Sequence, residues 1–461
     1  MVSLTATQTL RDQHKSSGFN THGKVSAMAM DKAQVSRRGF LGMSLAAGVI
    51  TLTACGADSD DKGSTSGNAT AASLVMAVWG GDADKTAYQK RIDLLVKKFP
   101  ELKVTLQLIP GDGYAQKVQT MIAGGKGPDI MQVAESVNVY SSKNQLLPLD
   151  DLASKAGIDL EKRFGSIGKL YSYQDKVYAI PDRSGAMIVY YNKTLFDAKG
   201  IKAPTADWTW DDALSAFKEL TVPGKQWGYS GGGWWAQWWS FVYQNGGKII
   251  DDSGKPAVAT DEVIEALQWT GDLVFKHGVV PTPKQYADMG ADVGGDAAFA
   301  NGKVAVNTTG FWAIGGLAKS KIEWDIAPLW KGKQQAVTAF GSGLAVSRTA
   351  KNPDAALKAI DFFTSPEAQQ QIIATGQDVP ANIEVQKSQA FLKPAWMTKP
   401  VNMNVFGESS DFVYRAPFIP AWNEMQKAFD DGLADFWLGK QDARTALTAV
   451  QKRLESIVKP A

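Results

Sequence analysis

Histidine and cysteine are almost absent from this 461-residue chain, which contains three histidines and one cysteine. Two of the histidines, His14 and His22, lie near the start, so only His277 remains in the rest of the chain. One histidine cannot build a His₂ or Cys/His zinc site or a Cys-His pair. A Ser-His-Asp triad would depend on His277 alone, and we do not expect one. The single cysteine excludes an internal disulfide.

A strong excess of one charge is also absent, and so is a long apolar run. The 49 basic and 47 acidic side chains nearly balance, and residues 1–54 hold six of the basic but only two of the acidic ones. The rest of the chain is therefore slightly acidic and lacks the basic surface that a nucleic-acid partner requires. After residue 54 no apolar run approaches the length of about 18 residues that predicts a membrane-spanning helix.

The N-terminal region carries the pattern of an export signal. Arg37 and Arg38 precede an apolar stretch, 43–54, that is too short to span a bilayer of roughly 30 Å. The stretch runs into Leu-Thr-Ala-Cys at 52–55, which matches the lipobox where bacterial lipoproteins are cleaved before an acylated cysteine. We predict a twin-arginine lipoprotein signal peptide over 1–54.

Cys55, the only cysteine, would then carry the lipid that holds the protein on the outer face of the cytoplasmic membrane. The small, polar residues 55–71 predict a flexible tether. Met28 and Met30 are alternative starts to Met1. The competing interpretation of this region is a buried N-terminal helix with a stray cysteine.

Tryptophan, in contrast, is abundant, with 15 residues, several of them clustered. In an exported protein that lacks histidine, so many flat rings indicate a ligand with apolar faces, and sugars are the leading class. About 390 residues follow the tether, more than one core usually organises, so we expect two lobes.

The first part after the tether has the pattern of alternating strands and helices. Apolar strands are predicted at 74–79, 102–109 and 128–133, with helices at 86–99 and 114–123 between them. This order predicts an α/β fold with a parallel sheet. Ligands of such sheets bind beyond the carboxyl ends of the strands, which places Trp79 and Glu135 at a cleft.

Short motifs follow in a fixed order over nearly the whole chain after the tether, for example Asn-Gly-Gly at 245–247 and Gly-Phe-Trp at 310–312. The others lie at 124–130, 146–152, 174–183, 189–196, 209–212, 299–306, 341–343 and 362–369. In their order and spacing these motifs resemble the extracellular solute-binding proteins of carbohydrate ABC importers, the family that includes proteins similar to maltose-binding protein.

The resemblance implies a two-lobed, type II periplasmic-binding-protein fold with hinge crossovers near 181–184 and 341–345. It implies an N-terminal lobe at 72–182 and 336–390 and a C-terminal lobe at 183–335 and 391–461. It also implies a non-enzymatic receptor that needs no cofactor and no metal. Such a receptor, expected to be a monomer, would take a carbohydrate between its lobes and deliver it to the transmembrane subunits of an ABC permease.

The aromatic candidates for ligand contact begin with the cluster Trp234, Trp235 and Trp238. In a helix, Trp234 and Trp238 would form one stripe and Trp235 with Trp239 another, so that one stripe could face the cleft. The alternative is a core patch, and we expect some rings in each place. Trp79 is a candidate by its position, and Trp312 by its resemblance to a stacking aromatic of related proteins.

The polar candidates follow from the hydroxyl rim of a sugar, which carboxylates and Arg recognise with paired hydrogen bonds. Glu135 follows the third strand, and Asp182 and Arg183 follow a hinge segment. Asp182 has a second interpretation, an ion pair with Arg183 or a more distant base. Further candidates are Tyr114, Gly341 and Arg415 by position, and Asp378 by the resemblance.

Two other functions remain open at this point. A secreted glycoside hydrolase would suit a Trp-rich cleft equally well, because its catalysis needs only two suitably spaced carboxyl groups. The same fold could also hold a non-sugar solute such as an amino acid, a polyamine or a metal.

Overall fold

The computed structural model describes residues 71–111, 113–291 and 294–459, with the backbone alone at 410 and 411. The predicted signal peptide, Cys55 and almost all of the predicted tether lie outside these residues. Within the described ranges, no helix is both long enough and apolar enough to cross a membrane.

The described strands form a seven-stranded sheet, a four-stranded sheet and a two-stranded hairpin. In chain order they are β1 (Ala72–Trp79), β2 (Leu102–Ile109), β3 (Ile130–Val133), β4 (Ser172–Tyr173), β5 (Lys176–Val177), β6 (Ala179–Ala186), β7 (Ile188–Asn192), β8 (Trp227–Ser230), β9 (Val304–Thr309), β10 (Trp324–Ala327), β11 (Val337–Val346), β12 (Val379–Pro380) and β13 (Val413–Arg415). The large sheet has the order β12-β6-β11-β3-β1-β2, with β13 beside β11, and the small sheet has the order β10-β7-β9-β8.

Helices cover both faces of the two sheets. In chain order they are α1 (Asp82–Lys98), α2 (Tyr114–Ala123), α3 (Val137–Ser141), α4 (Asp150–Lys155), α5 (Leu160–Phe164), α6 (Lys193–Lys199), α7 (Trp210–Leu220), α8 (Trp235–Gln244), α9 (Asp261–Phe275), α10 (Pro283–Asp288), α11 (Asp296–Ala300), α12 (Ala313–Leu317), α13 (Pro353–Phe363), α14 (Pro366–Ala374), α15 (Ile383–Gln386), α16 (Gln389–Leu392), α17 (Val405–Glu408), α18 (Trp422–Trp437) and α19 (Ala443–Ile457). Short 3₁₀ turns lie at Gly165–Ile167 and Ser409–Phe412.

The strand and helix alternation at the start of the large sheet confirms the prediction from the sequence. β1 pairs in parallel with β2 and with β3. The strand is buried on both sides, because Leu74, Met76 and Val78 point into one apolar core and Ala77 points into another. A nearly continuous apolar run is therefore what this central position requires.

The small sheet is also buried on both faces, as β7 shows. Ile188 and Tyr190 belong to one apolar core, whereas Val189 and Tyr191 belong to another. Each sheet thus has its own pair of cores, and the molecule has the two-lobed α/β architecture of periplasmic binding proteins that was expected.

The chain crosses between the sheets where β6 leads into β7. β6 runs antiparallel to β11 from Ala179 to Ala186, so the chain leaves the large sheet only at Met187. The observed crossover therefore lies later in the chain than the crossover expected near 181–184. The chain returns to the large sheet between the end of β10 and the start of β11. The residue boundaries of the two lobes stay a prediction.

A buried ion pair fixes β6 against the first helix. Arg91 of α1 and Asp182 of β6 are both fully buried and form a two-pronged salt bridge. Asp182 also accepts hydrogen bonds from the Tyr88 hydroxyl at 2.8 Å and from Gln369 Nε2 at 3.1 Å. Arg91 Nη2 donates in addition to the carbonyl oxygen of Phe363 at 2.6 Å. Of the two interpretations of Asp182, the structure shows the ion pair: the main partner is the distant base Arg91, and Arg183 Nε lies farther away, at 3.9 Å from Asp182 Oδ2.

Replacing Arg91 with methionine should therefore be strongly destabilising. The Arg91→Met variant leaves the Asp182 carboxylate buried without its counter-charge, which typically costs about 3–5 kcal/mol. Urea denaturation gives the free energy of unfolding. The control is Lys98→Met on the same helix, because Lys98 pairs with Glu367 with both side chains half exposed. Such pairs contribute at most about 1 kcal/mol, so equal losses in the two variants would contradict the prediction.

Candidate functional site

A cleft of about 570 Å³ lies where β1 of the large sheet ends. Its walls come from the start of α1, from the region after β9 of the small sheet and from the turn after α14. Four of the residues predicted from the sequence line it together: Trp79, Arg183, Trp312 and Asp378. The other lining residues are Ala83, Asp84, Gly315, Gly316, Lys319, Thr375, Gly376 and Gln377.

Trp79 reaches the cleft because it is the last residue of β1. β1 stays paired with β2 up to this residue, which lies opposite Ile109. The Trp79 backbone N–H donates to Gln132 Oε1 at 3.1 Å, and its ring packs edge-on against Tyr114 with 5.2 Å between centroids. The half-buried indole is thus held in place at the carboxyl end of a parallel strand, where α/β proteins bind ligands.

Tyr114 and Glu135 lie behind the cleft and are absent from its lining. The Tyr114 hydroxyl donates to the carbonyl oxygen of Gln132 at 2.8 Å, and the side chain is only 6% exposed. The hydroxyl is used inside the sheet and does not point to the cleft mouth as the sequence suggested. Glu135 is half-buried after β3, and burial raises the pKa of its carboxyl to about 7.

Arg183 organises the polar wall of the cleft. Its Nη1 lies 3.0 Å from Asp84 Oδ1 and 3.9 Å from Asp378 Oδ2, and its guanidinium sits over the Tyr88 ring at 5.0 Å. Gln377 Nε2 also donates to Asp84 Oδ1. Within the described residues, the buried Arg183 Nε and Nη2 atoms have no hydrogen-bond acceptor. Two donors of this wall are therefore unsatisfied.

The opposite roles of Asp182 and Arg183 follow from the geometry of β6. The pairing of β6 with β11 is irregular here: Ser342 lies opposite Arg183 and Gly343 opposite Pro181, so Asp182 is an extra residue of β6. Asp182 enters the core and Arg183 lines the cleft, with Arg183 Nε 3.9 Å from Asp182 Oδ2. Asp182 is fully buried and does not line the cleft.

An aromatic group forms the other wall. Trp312, which is 42% exposed, contacts Trp234 and Phe340 with ring centroids 5.7 Å and 5.1 Å away. Trp234, 37% exposed, immediately precedes α8. The indole N–H of Trp312 donates to Asp296 Oδ2 at 3.1 Å, which fixes the orientation of the ring. Large aromatic surfaces left open to solvent in a cleft are typical of a ligand platform.

Trp235 and Trp238 belong to the protein interior instead. Trp238 is 1% exposed and packs against Trp239 and Phe429. Trp235 is half-buried and contacts Trp239 and Trp422. The helix α8 is buried from Ala236 to its end at Gln244, so these residues form no exposed stripe that could face the cleft. The cluster is thus divided between Trp234, an exposed ring beside Trp312, and rings that pack in the core.

Gly341 and Arg415 lie on strands next to the cleft. Gly341 pairs with Ser184, and a Cβ atom there would come within 2.5 Å of the Arg183 carbonyl oxygen, so the strand pairing itself requires glycine. Arg415 ends β13 and lines a smaller cavity of about 70 Å³. Arg183 and Phe340 line the same cavity, which therefore adjoins the main cleft.

Sequence analysis missed Asp84 and Gln377, which line the cleft, and Phe340 and Asp296, which contact Trp312. Asp84 stands in the first turn of α1, where an acidic residue normally indicates only a helix start. Gln377 is the neighbour of the predicted Asp378, and its contact with Asp84 joins positions 293 residues apart. No local pattern distinguishes Phe340 or Asp296.

Comparisons with known proteins agree with the observed fold. The family model described as bacterial extracellular solute-binding protein matches residues 81–370. A maltooligosaccharide ABC transporter solute-binding lipoprotein of Streptococcus pneumoniae is 24% identical over 432 residues, 89% of this chain and 94% of that protein. An arabinooligosaccharide-binding protein of Halalkalibacterium halodurans is 29% identical over 199 residues, which are 40% of this chain. That match spans 42% of the relative's length, less than half.

Among solved structures, an ABC substrate-binding protein of Listeria monocytogenes in complex with cycloalternan has a similar fold. The TM-score is 0.77 at 25% sequence identity, and the match covers 83% of this chain and 98% of the other.

The polar wall should make stability depend on pH. Burial raises the pKa of the Asp378 carboxyl from 3.8 to about 7 although Arg183 is near. The folded protein then binds a proton that the unfolded chain has lost, so the free energy of unfolding falls as the pH rises from about 4 to about 7. In Asp378→Asn this decline should be smaller, as measured by urea denaturation at several pH values.

Part of the decline should remain in that variant, because Glu135 has a carboxyl pKa raised in the same direction. Asp252→Asn is the control, since the Asp252 side chain is 90% exposed. A pH profile of Asp378→Asn that matches the parent protein would show that Asp378 does not carry the effect.

Proposed function

Since this chain belongs to the bacterial extracellular solute-binding proteins, we propose that it captures a sugar or oligosaccharide between its two lobes and delivers it to an ABC permease. The observation that carries the proposal is that Trp79 and the exposed Trp312 line one cleft together with the charged side chains Asp84, Arg183 and Asp378. The named relatives support it, because they bind arabinooligosaccharides or are part of maltooligosaccharide transport.

Two kinds of contact would hold the sugar. The indoles of Trp79 and Trp312 offer flat apolar faces to the C–H face of a sugar ring. The guanidinium of Arg183, which lines the cleft, would donate to sugar hydroxyls. Asp378 and Asp84 would accept hydrogen bonds from the hydroxyl groups on the rim of the same sugar ring.

The remaining predicted residues take different parts in this proposal. Trp234 extends the aromatic wall and would stack on a second ring of an oligosaccharide. Arg415 would contact a longer ligand through the adjoining small cavity. The other candidates would support the walls from behind without touching the sugar. They are Tyr114, Glu135, Asp182, Trp235, Trp238 and Gly341. One proposed lobe is 72–182 with 336–390, and the other is 183–335 with 391–461. The two lobes would close on the bound sugar and complete its enclosure.

The protein would act outside the cytoplasm, as the family description states. We further propose that it leaves the cell by the twin-arginine route and is anchored as a monomer to the membrane by acyl chains on Cys55. The pneumococcal relative is itself a lipoprotein. Hydrolysis of the sugar is not part of the proposal, because the family and the relatives are binding proteins.

The decisive experiment is a thermal-shift screen of the chain from Ala71 onward against mono- and oligosaccharides. A sugar that binds only the folded state must raise the melting temperature by mass action. We expect a shift with one sugar family and no change in that sugar on long incubation. Turnover of the sugar would favour the hydrolase. If the protein is folded and no sugar of the panel raises its melting temperature, the proposal of a sugar ligand is contradicted.

With the sugar found in that screen, Trp312→Ala should lower affinity about tenfold, or roughly 1.4 kcal/mol, because it removes the exposed platform. Titration calorimetry measures the affinity. Phe275→Ala is the matched control, since Phe275 is 45% exposed, close to the 42% of Trp312, and lies outside the cleft. An unchanged isotherm for Trp312→Ala would remove this residue from the site.

The lipid anchor is tested in a bacterial host that exports the full chain. Cys55→Ala should abolish labelling by an alkyne-tagged palmitate and release the protein from the membrane fraction. Conversion of Arg37 and Arg38 to Lys should block export while leaving Cys55 in place. Continued labelling of the Cys55→Ala variant would show that the lipid is not attached there.

A further inference from the structure

A second cavity, of about 170 Å³, lies beneath the glycine run 231–233 in the lobe of the small sheet. Its walls are formed by α8, α9 and the end of α18, and none of its lining residues lines the 570 Å³ cleft. Most of the lining side chains are apolar or aromatic, with Tyr229, Trp238, Phe241 and Trp437 among the aromatic ones. The function proposed above does not use this cavity.

One polar side chain of the wall is incompletely bonded. Gln237 is 3% exposed, and its Nε2 donates to the Thr308 carbonyl oxygen at 2.9 Å. A carbonyl can only accept, so this contact fixes the orientation of the amide and leaves Oε1 as the free acceptor. Among the described residues, Oε1 has no hydrogen-bond partner.

Neighbouring hydroxyls on the same wall are already paired. The Tyr229 hydroxyl lies 2.7 Å from Thr308 Oγ1, and Thr270 Oγ1 donates to the Leu267 carbonyl oxygen at 2.6 Å. A buried acceptor without a partner is costly, so a ligand that carries one donor on an apolar body would be favoured.

The volume sets the size of that ligand. An apolar cavity of about 150 Å³ is known to stay dry and to bind benzene, so the present cavity has room for one six-membered aromatic ring. The glycine run 231–233 is only half-buried and has no side chains, so it forms a thin cover through which a small molecule can pass.

We propose that this cavity is a second ligand site that takes monocyclic aromatic compounds with one hydroxyl group. The ring would pack among the aromatic side chains, and the O–H would donate to Gln237 Oε1. The site is independent of the sugar proposal and would exist in the protein whatever its main cargo is.

Phenol and toluene are the probes, because they match in size and differ in the donor. Both are titrated calorimetrically against the soluble chain from Ala71 onward, and saturable binding of phenol is expected. In Gln237→Leu the ratio of phenol affinity to toluene affinity should fall about tenfold, because toluene does not use the acceptor. An unchanged ratio would overturn the role of Gln237, and absence of binding by both probes would overturn the site.

A second variant keeps the hydrogen bonds of Gln237 intact. Val274 is a half-buried residue of the cavity wall, and Val274→Trp should fill the space and abolish binding of both probes. Val222→Trp, at a position 38% exposed outside the cavity, should leave both affinities unchanged. Phenol binding that survives Val274→Trp in a folded protein would place the ligand elsewhere and contradict the proposal.

Discussion

The buried pair of Asp182 and Arg91 is the interaction on which the cleft depends. A buried carboxylate is tolerated only with a full set of partners, and here α1 and α14 both supply donors to Asp182, while the end of α13 accepts a hydrogen bond from Arg91. The pair therefore fixes β6 at one register in the large sheet. At this irregular point of β6, Asp182 lies in the core while the next residue, Arg183, lines the cleft. Neighbouring residues thus carry the structural charge and the charge proposed to bind a ligand.

Arg183 in turn gathers carboxylates from distant parts of the chain. Asp84 belongs to the start of α1 and Asp378 to the turn after α14, and both approach the same Nη1 atom. The guanidinium remains only partly satisfied, since two of its nitrogens have no acceptor among the described residues. A wall of this kind is ordered before a ligand arrives, which lowers the entropy that binding must overcome.

The tryptophans serve two purposes, and α8 separates them. Trp234 stands before the first turn of this helix and is exposed beside Trp312, whereas Trp238 and Trp239 are buried one turn later. Gln237, between them, links the helix to Thr308 at the end of β9, close to the Gly-Phe-Trp motif that carries Trp312. The same short helix therefore lines the second cavity and is joined to the strand that leads to Trp312.

Local sequence determined the elements and the family of this protein. The bounds of β2 and α2 agree with the predicted 102–109 and 114–123, because periodic apolar patterns act over neighbouring residues. The position of Trp79 at a strand end followed from the same reasoning. Tertiary structure alone decided that Asp182 would pair with Arg91, that Trp238 would be buried, and that Asp84 and Gln377, 293 residues apart, would meet. Such contacts depend on how finished elements pack together, and no pattern within one element records them.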